Sequence, residues 1–394
     1  MSWPMVKLGD IFEITSSKRV HQKDWREEGI PFYRAREIAV LSREGKVDND
    51  LFIDEAMYEE YKAKFGAPEE GDILITAVGT LGLTYAVQKG ERFYFKDASV
   101  IKLRKKIDVD ISYIQYAIAS PTVQRFIQNS SGATVGTYTI SRARETEIPL
   151  PPLEEQKRIA AILDKADSVR RKRQQAIQLA DDFLRSVFLD MFGDPVTNPK
   201  GWDIRPLEDC LEFLTSGSRG WAQYYSDQGS KFIRIQNVSK NRLLLEDMAY
   251  VNAPDGAEST RTRVQIGDVL LSITADLGRS AVVNDEIAGG HINQHLALLR
   301  VNQSKINSRF LSAYLSSDGG VKQFQMKNKS AVKAGLNFND IRTLMIPIPP
   351  LNIQKKYENI YDNISIMNEH CLSSSNEIKN QIAVLSQKAF SGGL

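Results

Sequence analysis

Residues 148–192 read IPLPPLEEQKRIAAILDKADSVRRKRQQAIQLADDFLRSVFLDMF and set the architecture of this chain. Residues 346–390 repeat the pattern 198 positions later as IPIPPLNIQKKYENIYDNISIMNEHCLSSSNEIKNQIAVLSQKAF. Both stretches open with Pro-Pro-Leu, carry Gln-Lys three residues after that leucine, and end on phenylalanine. Self-similarity at a fixed offset indicates a tandem duplication.

Each repeated stretch is predicted to form one long helix. Apolar residues recur after the prolines at spacings of three and four, and each has a counterpart 198 residues later. In the first copy they are Ile159, Ile162, Ala166, Val169, Ala180, Leu184 and Val187. Proline is accepted in the first turn of a helix but not in its interior, so the Pro-Pro pairs mark the helix starts. A helix of roughly 37 residues is about 55 Å long.

The narrow apolar seam of both predicted helices indicates packing along another long helix. The obvious partner is the second copy. We expect the two helices to pair as an antiparallel coiled coil, because each leaves its own domain in the same sense and the two domains must lie at different ends. The alternative is that each helix only covers its own domain.

The residues before each long helix repeat as well. Gly71-Asp72-Ile73-Leu74 returns as Gly267-Asp268-Val269-Leu270 in a run of short strand-like segments. Two short helices are predicted in each copy, the first of them capped by Asp110 or by Asn307. We therefore predict an α+β (mixed α/β) fold as a tandem pseudo-symmetric repeat, with domains at 1–150 and 200–348 and long-helix segments at 151–193 and 349–394.

The composition of the 394 residues is that of an ordinary globular protein, with 42% apolar and 25% charged residues. The net charge is only +2, so any contact with nucleic acid must come from local patches. Two cysteines in unrelated contexts argue against a disulfide framework or a zinc site. No signal peptide or membrane span is recognisable, and a cytoplasmic location is expected.

The order of these features resembles the DNA specificity subunits of type I restriction-modification systems. In that family two variable target-recognition domains each precede a long helix, and the resemblance covers essentially the whole chain. The most family-like pieces are Pro-Pro-Leu-Glu-Glu-Gln-Lys at 151–157 and Phe-Ser-Gly-Gly-Leu at 390–394. The second copy departs from the first where Ala275-Asp276 replaces Gly79-Thr80, which leaves open whether both domains use that turn alike.

The resemblance implies a chain that reads a bipartite, asymmetric site in double-stranded DNA and has no catalytic residue of its own. It implies two modification (methyltransferase) subunits as partners, which carry S-adenosylmethionine and methylate adenine. Restriction subunits would add ATP-driven cleavage. No cofactor and no membrane contact are implied for this chain.

The motifs of catalysis are missing from the sequence. Leucine follows each Pro-Pro, so the Asn/Asp-Pro-Pro-aromatic motif of adenine methyltransferases is absent, as is the Gly-x-x-x-x-Gly-Lys-Ser/Thr phosphate loop. His291 and His295 have the spacing of two ligands on a helix, but the run that contains them alternates like a strand. We predict no catalytic, metal-binding or cofactor-binding residue.

Candidate DNA-binding residues combine cations or amides with aromatic side chains, as phosphate contact and base readout require. In the first domain they are Lys18, Arg19, Lys23, Tyr33, Arg34 and Arg36, and in the second Arg219, Trp221, Gln223, Arg234, Gln236 and Asn237. Weaker candidates are Thr80, Tyr138, Arg279 and Lys333.

Two other classes of function stay open on the sequence alone. A coiled-coil interaction or adaptor protein without a DNA role predicts partner binding that salt and competitor DNA do not change. An enzyme whose site is assembled from loops predicts activity from the purified chain alone.

Overall fold

The computed structural model describes residues 3–129, 136–217, 219–328 and 335–393, without the side chains of 369–380, 383 and 391. The chain divides into two compact units. Unit 1 comprises Met1–Gln174 with Ser373–Leu394, and unit 2 comprises Gln175–Leu372. Each unit therefore contains one repeat and a part of both long helices.

The first repeat is a mixed structure of short strands and short helices. Its strands are β1 Met5–Lys7, β2 Phe12–Thr15, β3 Ile30–Tyr33, β4 Phe52–Ile53, β5 Ile73–Thr76, β6 Thr84–Ala86, β7 Tyr94–Phe95, β8 Val100–Lys105 and β9 Glu147–Pro149. Its helices are α1 Leu8–Ile11, α2 Ala35–Glu44, α3 Glu55–Phe65, α4 Ile111–Ala119, α5 Pro121–Gln128 and α6 Ile140–Glu145, followed by the long helix α7 Leu153–Phe192. The predicted α+β class is confirmed.

The second repeat is also a mixed structure of short strands and short helices, with more strands and fewer helices than the first. Its strands are β10 Asp203–Pro206, β11 Leu211–Ser216, β12 Tyr225–Ser226, β13 Ser230–Ile233, β14 Val238–Ser239, β15 Arg242–Leu243, β16 Ala249–Val251, β17 Val269–Ser272, β18 Ser280–Val282, β19 His291–Ile292, β20 Leu296–Val301 and β21 Met345–Ile348. Its helices are α8 Ala257–Thr262, α9 Ser308–Leu315, α10 Asp318–Lys327 and α11 Phe338–Arg342, followed by the long helix α12 Leu351–Ser391.

Both repeats build the same antiparallel sheet, in the orders β2-β8-β5-β6 and β11-β20-β17-β18. The central strands β5 and β17 are buried along their whole length, as continuous apolar runs predict. Leu74 pairs with Lys102, and Leu270 pairs with Leu298, so both partners shift by the same 196 residues. The duplication therefore preserves the strand register as well as the sequence pattern.

A second sheet in each repeat contains one parallel pair, β3 with β7 and β13 with β19. In the first repeat its order is β4-β3-β7, and in the second it is β12-β16-β13-β19. Two-stranded ladders of β1 with β9 and of β10 with β21 join the start of each repeat to the residues just before its long helix.

The repeated Gly-Asp motif supplies the buried carboxylate of a partly exposed ion pair in each unit. The Asp72 carboxylate accepts from Arg104 at 3.0 and 2.7 Å, and Asp268 accepts from Arg300 at 2.8 and 2.7 Å. The aspartate side chains are only 4% and 2% exposed. The preceding glycines have φ of +83° and +86°, a conformation that other residues adopt at a cost. Charge and backbone geometry together explain why both residues recur.

The predicted long helices are present. Helix α7 has 40 residues and α12 has 41, so each is about 60 Å long. Gly193, with φ of +84°, follows the last residue of α7, where a glycine in the left-handed conformation commonly ends a helix.

Within each unit, the beginning of one long helix shares a hydrophobic core with the end of the other. In unit 1, Ile159 and Leu163 of α7 and Ala389 of α12 belong to one core, and the Trp3 indole N–H donates to the Ala389 carbonyl at 2.7 Å. In unit 2, Phe192 of α7 packs against Tyr357 of α12. Such contacts are those expected of antiparallel helices.

The glutamine of the Pro-Pro-Leu-x-x-Gln motif fastens each long helix to its own repeat. The Gln354 side chain accepts from the backbone N–H of Asn307 at 2.8 Å and donates to the Pro349 carbonyl at 2.6 Å. Gln156 does the same with the N–H of Asp110 and the Pro151 carbonyl. Asp110 and Asn307 are the predicted caps of α4 and α9, and both accept a hydrogen bond from the first helical turn.

The repeats differ between β3 and β5 and between their counterparts β13 and β17. The first repeat has the helices α2 and α3 there, whereas the second has the β14–β15 hairpin and the short helix α8. No pattern in the sequence predicts these helices. Arg34 lies between the last residue of β3 and the first turn of α2.

Candidate nucleic-acid interface

In unit 1, predicted DNA-binding residues surround the connection between β7 and β8, residues 96–99, which we call central connection 1. The backbone N–H of Lys96 donates to the Tyr33 carbonyl at 2.8 Å. The Arg19 guanidinium donates to the Asp97 carboxylate at 2.8 Å. Strand β3 and the loop after β2 therefore meet at one connection.

In unit 2, the connection between β19 and β20, residues 293–295, occupies the same place, and we call it central connection 2. The N–H of Asn293 donates to the Ile233 carbonyl at 3.0 Å, just before Arg234. The loop that carries Arg219 lies against the same connection, because the carbonyl oxygens of residues 292 and 293 lie 2.1 Å from where a Cβ of Gly217 would be. Only glycine fits there without a shift of the backbone.

A tight turn borders each central connection, at residues 76–82 and 272–278. The side-chain hydroxyls of Thr76 and Ser272 each donate to the carbonyl four residues further on at 2.5 Å. Ala275 has a φ of +61° where the first copy has a glycine, so it adopts the left-handed conformation despite its Cβ. The two domains thus build this turn with the same hydrogen bond and the same left-handed position.

The turns carry two of the weaker candidates. Thr80 is exposed at the tip of the first turn. Arg279 follows the second turn, and its guanidinium donates to the Asp276 carboxylate at 2.6 Å. The backbone of the turns joins the central connections, because the N–H of Ala77 donates to the Ser99 carbonyl at 2.9 Å.

Among the stronger candidates, the exposed ones are Lys18, Arg19 and Lys23 in unit 1 and Arg219, Gln223 and Gln236 in unit 2. The Lys18 ammonium lies 5.3 Å from the ring centre of Phe65, an exposed aromatic residue at the end of α3. Such cation and aromatic groups are suited to phosphates and bases. Contact of these residues with DNA stays a prediction.

Arg34 and Arg36 are held by carboxylates. Glu37, whose side chain is buried, accepts from Arg34 at 2.9 Å and from Arg36 at 2.7 Å, and Asp50 accepts from both. Burial alone would raise the pKa of the Glu37 carboxyl, but hydrogen bonds from the side chain and backbone of Arg34 and from Arg36 outweigh it and lower the pKa to about 2. The two guanidinium groups are therefore held by two shared carboxylates, of which Glu37 is the buried one.

Replacing Glu37 with glutamine is expected to lower the free energy of unfolding of unit 1 by up to about 3 kcal/mol at pH 7. A depressed carboxyl pKa stabilises the fold above the unfolded-state pKa, 4.5, and the contribution is lost as pH falls towards about 2. The difference between the two proteins should therefore shrink across that range. Urea titrations at pH 7 and pH 3 measure it.

The exposed Glu44, in the last turn of α2, supplies the control, because Glu44→Gln should change the free energy of unfolding by less than about 0.5 kcal/mol. A loss in Glu37→Gln that is the same at both pH values would contradict the assigned role of the carboxylate.

Three predicted DNA-binding residues are corrected by their burial. Tyr138 is 0% exposed, and its hydroxyl lies 2.6 Å from that of Thr146. Trp221 is 3% exposed and stacks on Phe232. Asn237 is 0% exposed. Buried side chains offer no surface to a base. These three residues are instead part of the packed interior of their domains.

The burial of Asn237 follows from its place in the chain. It stands where Glu37 stands in the first repeat, and its amide nitrogen donates to the carbonyls of Leu244 and Glu246 at 3.0 and 3.2 Å. Its amide oxygen accepts from the backbone N–H of Arg234 at 3.0 Å. Both ends of the amide are thus used inside the protein.

No pattern in the sequence predicts the central connections themselves. Lys96 and Asp97 in unit 1, and Gln294 and His295 in unit 2, lie between the elements that carry the predicted residues. The spacing of His291 and His295 drew attention only as a possible metal site, and the structure instead places His291 in the core. Lys333 lies outside the described residues.

No group of three or more His, Cys, Asp or Glu side chains lies close enough to hold a metal ion within the described ranges. In the same part of the chain, no helix has the length and apolar composition that crossing a membrane requires. The free Cys210 is buried, which raises the pKa of its thiol.

Comparison with known proteins identifies relatives along the whole chain. A putative type I restriction enzyme specificity subunit of Haemophilus influenzae is 30% identical over 180 residues, which are 45% of this chain and 43% of that protein. The type I restriction enzyme EcoBI specificity subunit of Escherichia coli is 21% identical over 429 residues, which cover 100% of this chain and 86% of that protein.

The fold is also that of a solved specificity subunit. The crystal structure of the S subunit of a type I restriction-modification system from M. genitalium matches with a TM-score of 0.63 at 14% identity and covers 99% of this chain and 96% of that one. The family model described as type I restriction modification DNA specificity domain matches twice, at residues 2–179 and 199–383. This chain belongs to the family of type I restriction-modification DNA specificity proteins.

Proposed function

We propose that this chain is the DNA-recognition subunit of a type I restriction-modification complex and reads a bipartite, asymmetric site. The observation that carries the proposal is the pair of equivalent frameworks with unlike residues at their central connections. The strand register and the turn are the same in both repeats. Two domains that share one framework and differ at the surface proposed to contact DNA suit a site with two unlike halves.

The chemistry at the two central connections supports unlike half-sites. Lys96 and Asp97 contribute charged groups in unit 1, and Asp97 holds the forked guanidinium of Arg19. In unit 2 the equivalent residues are amide and imidazole side chains, from Asn293 to His295. Guanidinium groups favour guanine and amide groups favour adenine in the major groove, so the two domains should prefer different bases.

We assign the two repeats, residues 1–150 and 200–348, to recognition and the helical segments, 151–193 and 349–394, to spacing. Antiparallel pairing of the helices would relate the two domains by an approximate two-fold axis. Major-groove sites on one face of a duplex lie about 34 Å apart per turn, a distance that helices of about 60 Å can bridge. Helix length would then set the length of the gap that is not read.

The partners of the chain would be modification and restriction subunits, as in the complexes to which its family belongs. Two copies of the modification subunit suit a recognition subunit with two equivalent halves. They would carry the S-adenosylmethionine and methylate adenine, and the restriction subunits would cleave. This chain would then direct catalysis without a catalytic residue of its own, in the cytoplasm where the DNA is.

The test is a map of methylated adenines in the genome of the source cell, with the gene for this chain intact and deleted. Deletion should remove one motif made of two short, unlike half-sites with a fixed gap, and a plasmid copy of the gene should restore it. Salt-insensitive and DNA-insensitive binding to the partner subunits, with no motif lost, would instead support an adaptor protein.

A further inference from the structure

Three polar side chains are linked in series by hydrogen bonds at central connection 2. The hydroxyl oxygen of Thr274 lies 2.7 Å from Nδ1 of His295. Nε2 of the same imidazole lies 3.3 Å from the amide nitrogen of Gln294. Gln294 is exposed and His295 is half-buried, so this series of hydrogen bonds runs from the tight turn outward to the surface.

The orientation of the Gln294 amide in this structure gives the donor and acceptor roles of these hydrogen bonds. Its nitrogen faces Nε2 of His295. An amide nitrogen only donates, so Nε2 accepts in this arrangement, and the proton of the neutral ring lies on Nδ1. Nδ1–H then donates to the hydroxyl oxygen of Thr274. The imidazole therefore orients the glutamine amide and is itself oriented by the threonine.

Backbone hydrogen bonds hold in place the segment that carries these side chains. The N–H of Ile273 donates to the His295 carbonyl at 3.0 Å, and the N–H of His295 donates to the side chain of Asn293 at 3.2 Å. A side chain held in this way loses little conformational freedom when a ligand binds, which favours both affinity and discrimination.

One edge of the Gln294 amide is left for a ligand. No hydrogen bond to its Oε1 or to its second N–H comes from the part of the chain that the structure describes. Together these two groups form an acceptor and a donor side by side. In the major groove, adenine presents the matching pair, the N6 amino group as donor and N7 as acceptor.

We propose that Gln294 reads an A·T base pair of the second half-site, with Thr274 and His295 as positioning residues. The proposal rests on the proposed function. It concerns unit 2 alone, because the equivalent residues of unit 1, Lys96 to Ser99, contain neither glutamine nor histidine. The first half-site should therefore not depend on this chain of hydrogen bonds.

The experiment is an adenine-methylation map of cells that carry Gln294→Ala in place of the natural chain. One A·T position of the second half-site should become degenerate, with discrimination against other bases reduced roughly 10- to 100-fold. The first half-site and the gap should not change. Thr274→Val, which keeps the shape but removes the acceptor, should weaken discrimination at the same position.

Gln294→Glu separates base reading from a loss of folding. A carboxylate accepts from the N4 amino group of cytosine, so this variant should shift the same position from A·T towards a pair that presents cytosine. The control is Gln265→Ala, since Gln265 is exposed before the start of β17, at the opposite end of that strand from the turn. It should keep the whole motif.

The outcomes that overturn the proposal are distinct from those that overturn the proposed function. An unchanged motif in both Gln294 variants would exclude a role in base reading. Loss of the entire motif in both variants, with a melting temperature below that of the natural chain, would assign a structural role and exclude the proposal as well. A natural chain that directs no bipartite motif would instead contradict the proposed function itself.

Discussion

Insertion of one heptad into each long helix, after Gln174 in α7 and after Leu372 in α12, is expected to lengthen the unread gap by about three base pairs. Seven helical residues add about 10.5 Å, and base pairs are spaced about 3.4 Å apart along the duplex. A heptad comes close to two helical turns, so the apolar seam stays on the same face. Both half-sites should remain unchanged, because the recognition domains are not altered.

A matched variant separates length from sequence. Replacing the seven residues that end at Gln174 with another helical heptad adds no length and should keep the natural gap. Both variants can be compared in one adenine-methylation map. A changed half-site with a constant gap would rule out the helices as a spacer.

Gln354→Leu is expected to lower the free energy of unfolding of unit 2 by about 2–4 kcal/mol. Gln354 is fully buried, and its two hydrogen bonds serve the N–H of Asn307 and the Pro349 carbonyl. Leucine has a similar size but leaves both backbone groups buried without a partner. Each such group costs about 1–3 kcal/mol. Denaturant titration with hydrogen exchange would locate the loss in unit 2.

The second repeat provides its own control for this substitution. Lys355, the next residue, is exposed, and Lys355→Leu should change the free energy of unfolding by less than about 0.5 kcal/mol. Gln156→Leu should produce the corresponding loss in unit 1. Glutamine variants as stable as the natural chain would show that the motif glutamine does not fasten the long helices.

The duplicated framework could be predicted because its determinants are local and recur. Proline pairs mark the starts of both long helices, and the period of apolar residues extends through each of them. The Gly-Asp motif returned at a constant offset because the glycine takes a positive φ and the aspartate holds an arginine of the neighbouring strand. Each of these signals can be recognised in one short or continuous stretch of sequence.

The reading surface could be predicted only in part, because its composition depends on contacts between distant segments. Arg34 is a candidate DNA-binding residue by its type, but the sequence does not reveal that Glu37 and Asp50 hold its guanidinium. Asn237 looked like a base-reading amide, yet the β14–β15 hairpin buries it. Residue type indicated candidate loops and could not indicate which side chains face outward.

The differences between the repeats could not be predicted from the sequence either. Helices α2 and α3 occupy a segment in which the second repeat has a hairpin, while the sheets behind them keep one register. A fixed framework with variable insertions allows new base preferences without a new fold. Such insertions vary in length and pattern, so neither periodicity nor the internal repeat predicts them.

The central proposal, that each repeat reads one half-site and that the two half-sites are read in opposite orientations, is tested most directly by making the two domains identical. Residues 200–348 would be replaced by a second copy of residues 1–150, and the methylated adenines of the cell would be mapped. The account predicts an inverted repeat of the first half-site with the natural gap. A direct repeat, or the natural asymmetric motif, would contradict it.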